Sequence, residues 1–286
     1  MKLIQPIQKD AQLLNDIRSF NSDTEFKIWW LGQSGFLLKW NKKCLLFDPY
    51  LSDSLSIKYL HTDKPHTRMS ELVINPSTLD CIDVVTSSHN HTDHLDADTL
   101  VPILKNNQGV KFIIPEANRA FVVQRVQCDK GFPVGLNEGT SIEVAGFLIT
   151  GVPSAHNTVE RNERGECKFM GYIVQFGNYS VYHSGDTILF DGLTEILSPF
   201  EVDIALLPIN GNKPERRVAG NLDPREAATL GRAIGAKLVI PHHYDLFEFN
   251  TEDPAQFEAA CREQGVSYKV LKLGAGLVYR KESTVF

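Results

Sequence analysis

The chain has 286 residues, 42% hydrophobic and 22% charged, which is ordinary globular composition with enough apolar material for a sizeable core. Its formal net charge of −6 supplies no general basic field, so nucleic acid is not an expected partner. Five cysteines (Cys44, Cys81, Cys128, Cys167, Cys261) form an odd set with no C-x-x-C pair, which argues against a disulfide framework or a thiolate zinc site and fits a reducing, cytoplasmic setting. Met1–Pro6 lacks the apolar core of a signal peptide, and no apolar run approaches the ~20 residues needed to span a bilayer, so no membrane association is expected.

Residues 7–20 carry Ile7, Leu13, Leu14 and Ile17 at rough helical spacing and read as a short surface helix. Strand signals follow at 27–31, 36–40 and 44–48, joined by Gly32-Gln33-Ser34-Gly35 and Asn41-Lys42-Lys43, the pattern of an antiparallel meander. Residues 50–79 are polar and irregular, with Pro65 and Pro76, and read as a long excursion of the kind that covers a site. A buried strand, Cys81 to Thr86, leads into Ser88-His89-Asn90-His91-Thr92-Asp93-His94-Leu95-Asp96. Asp96 or Asp98 then caps a helix carrying Leu100, Ile103 and Leu104. A strand over 110–114 precedes a helix opened by Pro115 and running to about Gln127. Strands are expected at 141–145, 147–152, 171–176, 179–183 and 202–208. Asp223-Pro224-Arg225-Glu226 sets Asp at N-cap, Pro at N1 and Glu at N3 of the next helix, and Asp253-Pro254 opens another after a strand at 237–241. Strands at 268–273 and 277–280 close the chain. No linker or composition break divides it, so a single domain over 1–286, with helix 7–20 as an extension, is expected. Periodicity alone leaves an α/β barrel or two separate domains open.

Three histidines and an aspartate within six positions, between a strand and a helix, point to metal. In an extended segment residues two apart face the same way, so His89 and His91 can grip one cation while Asp93 and His94 grip a second. Imidazole nitrogens and carboxylate oxygens suit zinc and similar divalent ions. More ligand types follow other apolar runs: His156 after Ser154-Ala155, Asp186 after Ser184-Gly185, and His242-His243-Tyr244-Asp245 after Pro241.

His-x-His-x-Asp-His, a lone His, Ser-Gly-Asp and Pro-x-His, in that order, resemble the metallo-β-lactamase fold superfamily from Trp29 to about Pro254. Trp29-Trp30-Leu31-Gly32, Tyr182-His183-Ser184-Gly185-Asp186 and Ala236–Pro241 with the residues after it look similar to its L-ascorbate-6-phosphate lactonase group. The resemblance implies an α/β, four-layer αββα sandwich with metals at one edge. It implies His89, His91 and His156 on one ion, Asp93, His94 and His243 on a second, and Asp186 between them. Two divalent ions follow as cofactors, zinc first and manganese as the alternative. A metal-bound hydroxide would be the nucleophile. Asp93 and Asp48 are the carboxylates assigned to the catalytic machinery, Asp48 by orienting a ligand imidazole.

The implied activity is hydrolysis of an ester, lactone or related bond in a small, possibly phosphorylated, anionic metabolite. Arg161, Arg164, Asn210, Lys213, Arg216, Arg217, His242 and Tyr244 are candidate substrate contacts; the basic ones are chosen because guanidinium and ammonium groups pair with carboxylate or phosphate. Phosphodiester hydrolysis on RNA or a phospholipid is the alternative, and a metal-dependent redox or binding protein is the non-hydrolytic one. An iron-based redox enzyme on this fold would place an acidic residue where His91 stands. Homo-oligomerisation is left open.

Overall fold

The computed structural model describes residues 2–281. Its first sheet begins with β1 (Phe26–Gly32), β2 (Gly35–Trp40) and β3 (Lys43–Phe47), paired antiparallel as the tight turns dictate. Next come β4 (Val84–Thr86), β5 (Lys111–Pro115) and β6 (Val134–Leu136), each added in parallel. The second sheet holds β7 (Ser141–Val144), β8 (Phe147–Pro153), β9 (Met170–Phe176) and β10 (Tyr179–His183) in antiparallel pairs. Parallel β11 (Ile204–Pro208) and β12 (Leu238–His242) extend it. A final strand, β13 (Gly276–Tyr279), returns to the first sheet beside β1. The orders are β13-β1-β2-β3-β4-β5-β6 and β12-β11-β10-β9-β8-β7.

The two sheets face each other. Phe47 of β3 stacks on His183 of β10 with ring centroids 5.0 Å apart, and Phe26 of β1 meets Phe176 of β9 edge-on at 5.2 Å. One buried cluster runs through both sheets, from Leu13 to Leu273. This is the αββα sandwich that the motifs imply. Seven α-helices occur among the described residues: α1 (Asp10–Ser19), α2 (Ser54–Tyr59), α3 (Ala97–Asn106), α4 (Arg119–Val126), α5 (Leu193–Leu197), α6 (Pro224–Ala233) and α7 (Pro254–Gln264). Gly231 lets α6 lie close on β12, since a Cβ there would come within 2.4 Å of Val239 Cγ2. None of the helices is long and apolar enough to cross a membrane.

Local signals explain the helix starts. Asp96 caps α3 by accepting from Thr99 N, and Asp223 with Glu226 makes a full capping box on α6. Pro115, expected to open a helix, instead ends β5; a 3-10 turn over Glu116–Asn118 separates it from α4. Residues 268–273, expected as a strand, make one bridge, Tyr268 to Val239. The excursion over 50–79 contains α2, whose buried Leu55 packs with Tyr50, Leu246 and Phe247. That partnership spans nearly 200 positions and leaves no local period to read. β6 and α5, three and five residues long, are too short to carry a readable period and are not among the expected elements.

The loops after β3, β4, β8, β10 and β12, with the β1–β2 turn, gather at one edge of the sandwich. Gly185, after β10, is the tightest point of that gathering. It has φ +60°, and a Cβ would sit 2.7 Å from Ser88 Cβ and 2.9 Å from Met170 O. Gly185→Ala should therefore lower stability by about 1–3 kcal/mol through overpacking and should also weaken metal retention, because it pushes on the histidine loop. Denaturant unfolding and metal content measured on the same sample check this; a variant unchanged in both would refute the close approach.

Candidate metal centre

The histidine loop is pinned from behind. Ser88 N donates to Asp48 Oδ1 at 3.0 Å and Thr86 Oγ1 to the same atom at 3.1 Å. Ser88 Oγ donates to Asp48 Oδ2, and His94 Nδ1 donates to that oxygen at 2.7 Å. Tyr172 OH donates to Ser87 O at 2.9 Å and Met170 N to Ser88 O at 3.0 Å, tying the loop to β9.

These outer contacts select tautomers. With Ser88 Oγ donating to Asp48, it accepts from His89 Nδ1 at 2.9 Å. His156 Nδ1 donates to Gly220 O at 2.7 Å. Each of His89, His94 and His156 therefore turns its Nδ1 outward and its Nε2 inward, the arrangement that orients metal-binding imidazoles.

The inward atoms converge. His89, His91 and His156 place one ligand atom each within 4.8 Å of one another; so do Asp93, His94 and His243; so do His89, His94 and Asp186. Asp186 lies between the groups. Its Oδ1 is 3.2 Å from His94 Nε2, and its Oδ2 is 3.5 Å from both His156 Nε2 and His243 Nε2. His91 is exposed on the cleft side, and the other six residues are buried or partly buried. Asp48 lies behind this group and touches it through His94.

The donor set fits divalent metal. His89 Nε2, His94 Nε2 and Asp186 Oδ1 are buried atoms with no hydrogen-bond partner, although His94 and Asp186 lie close. Orphaned polar atoms in a native interior require a partner, and imidazole nitrogens with carboxylate oxygens at this spacing supply a cation's shell.

The protein's own electrostatics point the same way. Burial, reinforced by His94 and His91, pushes His89 well below its usual range, so its ring is neutral. Burial also lowers His156. For His94 burial opposes protonation, yet Asp186, Asp93 and Asp48 outweigh it and lift the ring well above its ordinary value. Burial opposes ionisation of Asp186, and the charges of His94 and His243 overcome it. The same balance lowers Asp93, with His94 and His243 as the favourable neighbours. Without a cation, protons on His94 do part of a cation's work, so metal loading must displace protons.

Sequence reasoning left out Gln33. This residue, in the β1–β2 turn, donates from Nε2 to Asp93 Oδ2 at 2.7 Å and lies 2.9 Å from His243 Nε2. His243 N in turn donates to Gln33 O at 3.1 Å. Gln33, Asp48 and His243 all hold positive φ (+49°, +37° and +64°), strain of the kind that collects at functional sites. Nothing local marks Gln33, whose turn reads as an ordinary hairpin.

Of the candidate substrate contacts, the structure places Arg217 on the cleft and the others off its lining. A cleft of about 490 Å³ opens over Asp93, His91, His156, Asp186 and His243, and its cations are Lys58, Arg125 and Arg217. Arg161 is tied to Glu138 and Gly165 O, and Arg164 to Glu166, both off the cleft. Lys213 and Arg216 are drawn away by Glu252. Asn210 is buried in an amide network with Asn221 and Asn250. His242 points behind the centre, 3.1 Å from Ser34 Oγ and stacked on His183 at 5.2 Å. Tyr244 donates its hydroxyl to Leu271 O and stacks on Trp30. Solvated or buried carboxylate and backbone partners claimed these side chains.

Comparison with known proteins agrees with this geometry. Residues 44–244 match the family described as the beta-lactamase superfamily domain. The chain is 30% identical over 257 residues to a UPF0173 metal-dependent hydrolase of Methanosarcina mazei, covering 88% of this chain and 97% of that one. It is 31% identical to a UPF0173 metal-dependent hydrolase of Methanopyrus kandleri, covering 89% and 100%. Igni18, a metallo hydrolase from Ignicoccus hospitalis, has a similar fold with TM-score 0.66 and 24% identity, covering 91% and 100%. The chain belongs to the metallo-β-lactamase superfamily of metal-dependent hydrolases. The relatives' names specify no lactone.

Asp48→Asn keeps the shape and removes the charge that gathers Ser88, Thr86 and His94. Metal affinity, read by competition with a chromogenic chelator, should fall about 10–100-fold. Unchanged affinity in a folded Asp48→Asn protein would show that the carboxylate does not orient the centre.

Proposed function

We propose that this protein hydrolyses an ester, lactone or related bond in a small anionic metabolite, with two divalent ions held by His89, His91, Asp93, His94, His156, Asp186 and His243. The convergence of inward-facing imidazole Nε2 atoms and Asp186 on the floor of a cleft carries this reading. Bound there, the ions supply Lewis acidity and make water a nucleophile near neutral pH. Zinc suits the imidazole-rich set, and manganese is the alternative.

The chain's own groups account for the rest. Gln33 holds Asp93, and Asp48 holds His94, so the floor is rigid before substrate arrives. Lys58 and Arg125 line the cleft without a carboxylate partner among the described residues, and Arg217, paired with Asp63, lies beside them, a rim suited to a carboxylate or phosphate. Leu55, Tyr59, Phe247 and Phe249 make an apolar wall against which a small organic skeleton can lie. A cleft of about 490 Å³ suits a metabolite better than a polymer. The net charge of −6 also weighs against RNA.

Verified removal of metal by a chelator should abolish hydrolysis of ester, lactone and phosphodiester panels, and Zn²⁺ or Mn²⁺ should restore it, with the esters or lactones fastest. Activity that survives metal removal refutes the mechanism, and exclusive phosphodiester turnover refutes the substrate class. Asp93→Ala should release one ion more readily than the other, because His89, His91 and His156 remain as a set. Loss of both together, or of neither, contradicts the division into two sites.

A further inference from the structure

Among the residues lining the cleft, His66 is the one imidazole outside the candidate ligand set. It belongs to the irregular 50–79 excursion. Tyr59 stacks on it, with centroids 4.1 Å apart at 16°, and Phe249 and Phe247 meet its edges at 4.6 and 5.1 Å. Ser56 Oγ donates to its carbonyl at 2.8 Å. Three aromatic contacts and a backbone tether are a strong hold for a side chain in a polar loop.

The hold also fixes the ring's chemistry. His66 Nδ1 lies 3.1 Å from Lys64 O, a pure acceptor, so Nδ1 carries the proton and Nε2 is the bare nitrogen. Nε2 has no hydrogen-bond partner among the described residues and is not fully buried, and the ring lines the cleft. A packing histidine would bury or satisfy that atom.

We propose that His66 is a catalytic residue that shuttles a proton between the attacking water and the leaving group. This inference rests on the hydrolytic reading above. The neutral ring accepts a proton of the attacking water at Nε2 while the new bond from water oxygen to carbonyl carbon forms. It returns that proton to the leaving oxygen as the old carbon–oxygen bond breaks. The ring begins and ends neutral, and no reactant beyond water and ester is required.

The surroundings support a neutral starting state. Burial lowers His66 below its ordinary value; the Lys64 carbonyl and Asp93 act in the opposite direction, and Lys64 and Lys58 add to the lowering. Two ion pairs also lie in or beside this segment, Asp63 with Arg217 at 2.9 Å and Asp53 with Arg68 at 2.6 Å. A base below its usual pKa is unprotonated at neutral pH and ready to accept.

The leaving group separates this role from packing. Protonation of the leaving oxygen matters little for p-nitrophenolate, a stable anion, and greatly for an alkoxide. The zinc-loaded parent, His66→Asn and His66→Gln should be compared on p-nitrophenyl acetate and on ethyl and methyl esters of the same acid. Asparagine retains a donor for Lys64 O and lacks the ring's Nε2. We expect kcat in both variants to fall 100-fold or more on the alkyl esters and under tenfold on the p-nitrophenyl ester, with metal content unchanged. Imidazole in solution should partly restore alkyl-ester turnover in His66→Ala. Equal losses on all esters, or none, would overturn the shuttle and leave His66 a packing residue. A parent that binds metal yet cleaves none of these esters would instead sink the ester reading, and the shuttle with it.

Discussion

A buried carboxylate, Asp48, is the point on which the candidate centre depends. A charge with no solvent contact persists only when surrounded by donors, and Asp48 has four: Thr86 Oγ1, Ser88 N, Ser88 Oγ and His94 Nδ1. All four belong to the strand and loop that carry the histidines. The carboxylate and the loop are thus mutually required: the loop satisfies the charge, and the charge fixes the loop. Through Ser88 the same carboxylate reaches His89, so two imidazoles are oriented from one atom pair.

From that anchor the geometry of the sandwich does the remaining work. β3 and β4 run parallel and adjacent, which sets Asp48 behind Ser88. β10, β11 and β12 are also parallel neighbours, so the residues after β10 and β12 emerge on the same side. Asp186 and His243 arrive there from chain segments nearly 60 positions apart. Glycine at 185 and positive φ at 243 make the sharp departures from the strands possible. The like-charged and opposite groups so gathered settle into opposed protonation, neutral at His89 and charged at His94 and Asp186. Such a cluster is self-consistent only around a positive charge, proton or metal.

Much of this was legible in the residues, for identifiable reasons. Strands with apolar runs and helices with Asp-Pro starts carry local signals, and the ligand types stand directly after the runs. The legible part of the centre is therefore the part held by strand ends. Gln33 was not legible, because its role arises from a turn meeting Asp93 60 positions away. Of the basic candidates only Arg217 lines the cleft, because charge in a loop says nothing about which carboxylate captures it; Glu252 takes both Lys213 and Arg216. α2 and the wall it builds depend on Leu246 and Phe247, so no window of sequence contains them.

Floor and wall thus have different physical origins. The floor is set on β-strand ends that sit in the main core, where a shift of one residue would disturb both sheets. The wall is a separate small cluster, Tyr50, Leu55, Leu246 and Phe247, joining α2 to the segment after β12, with Tyr59 and Phe249 packed on it. Its neighbours are few and its edges polar, so residues there can change with little effect on the sandwich. A fold that binds metal at its floor can consequently keep one chemistry while its wall redefines what the chemistry acts on. Membership in the superfamily speaks to the floor; on the proposed reading, the substrate is met by the cleft-lining Lys58, Tyr59, His66, Arg217, Phe247 and Phe249.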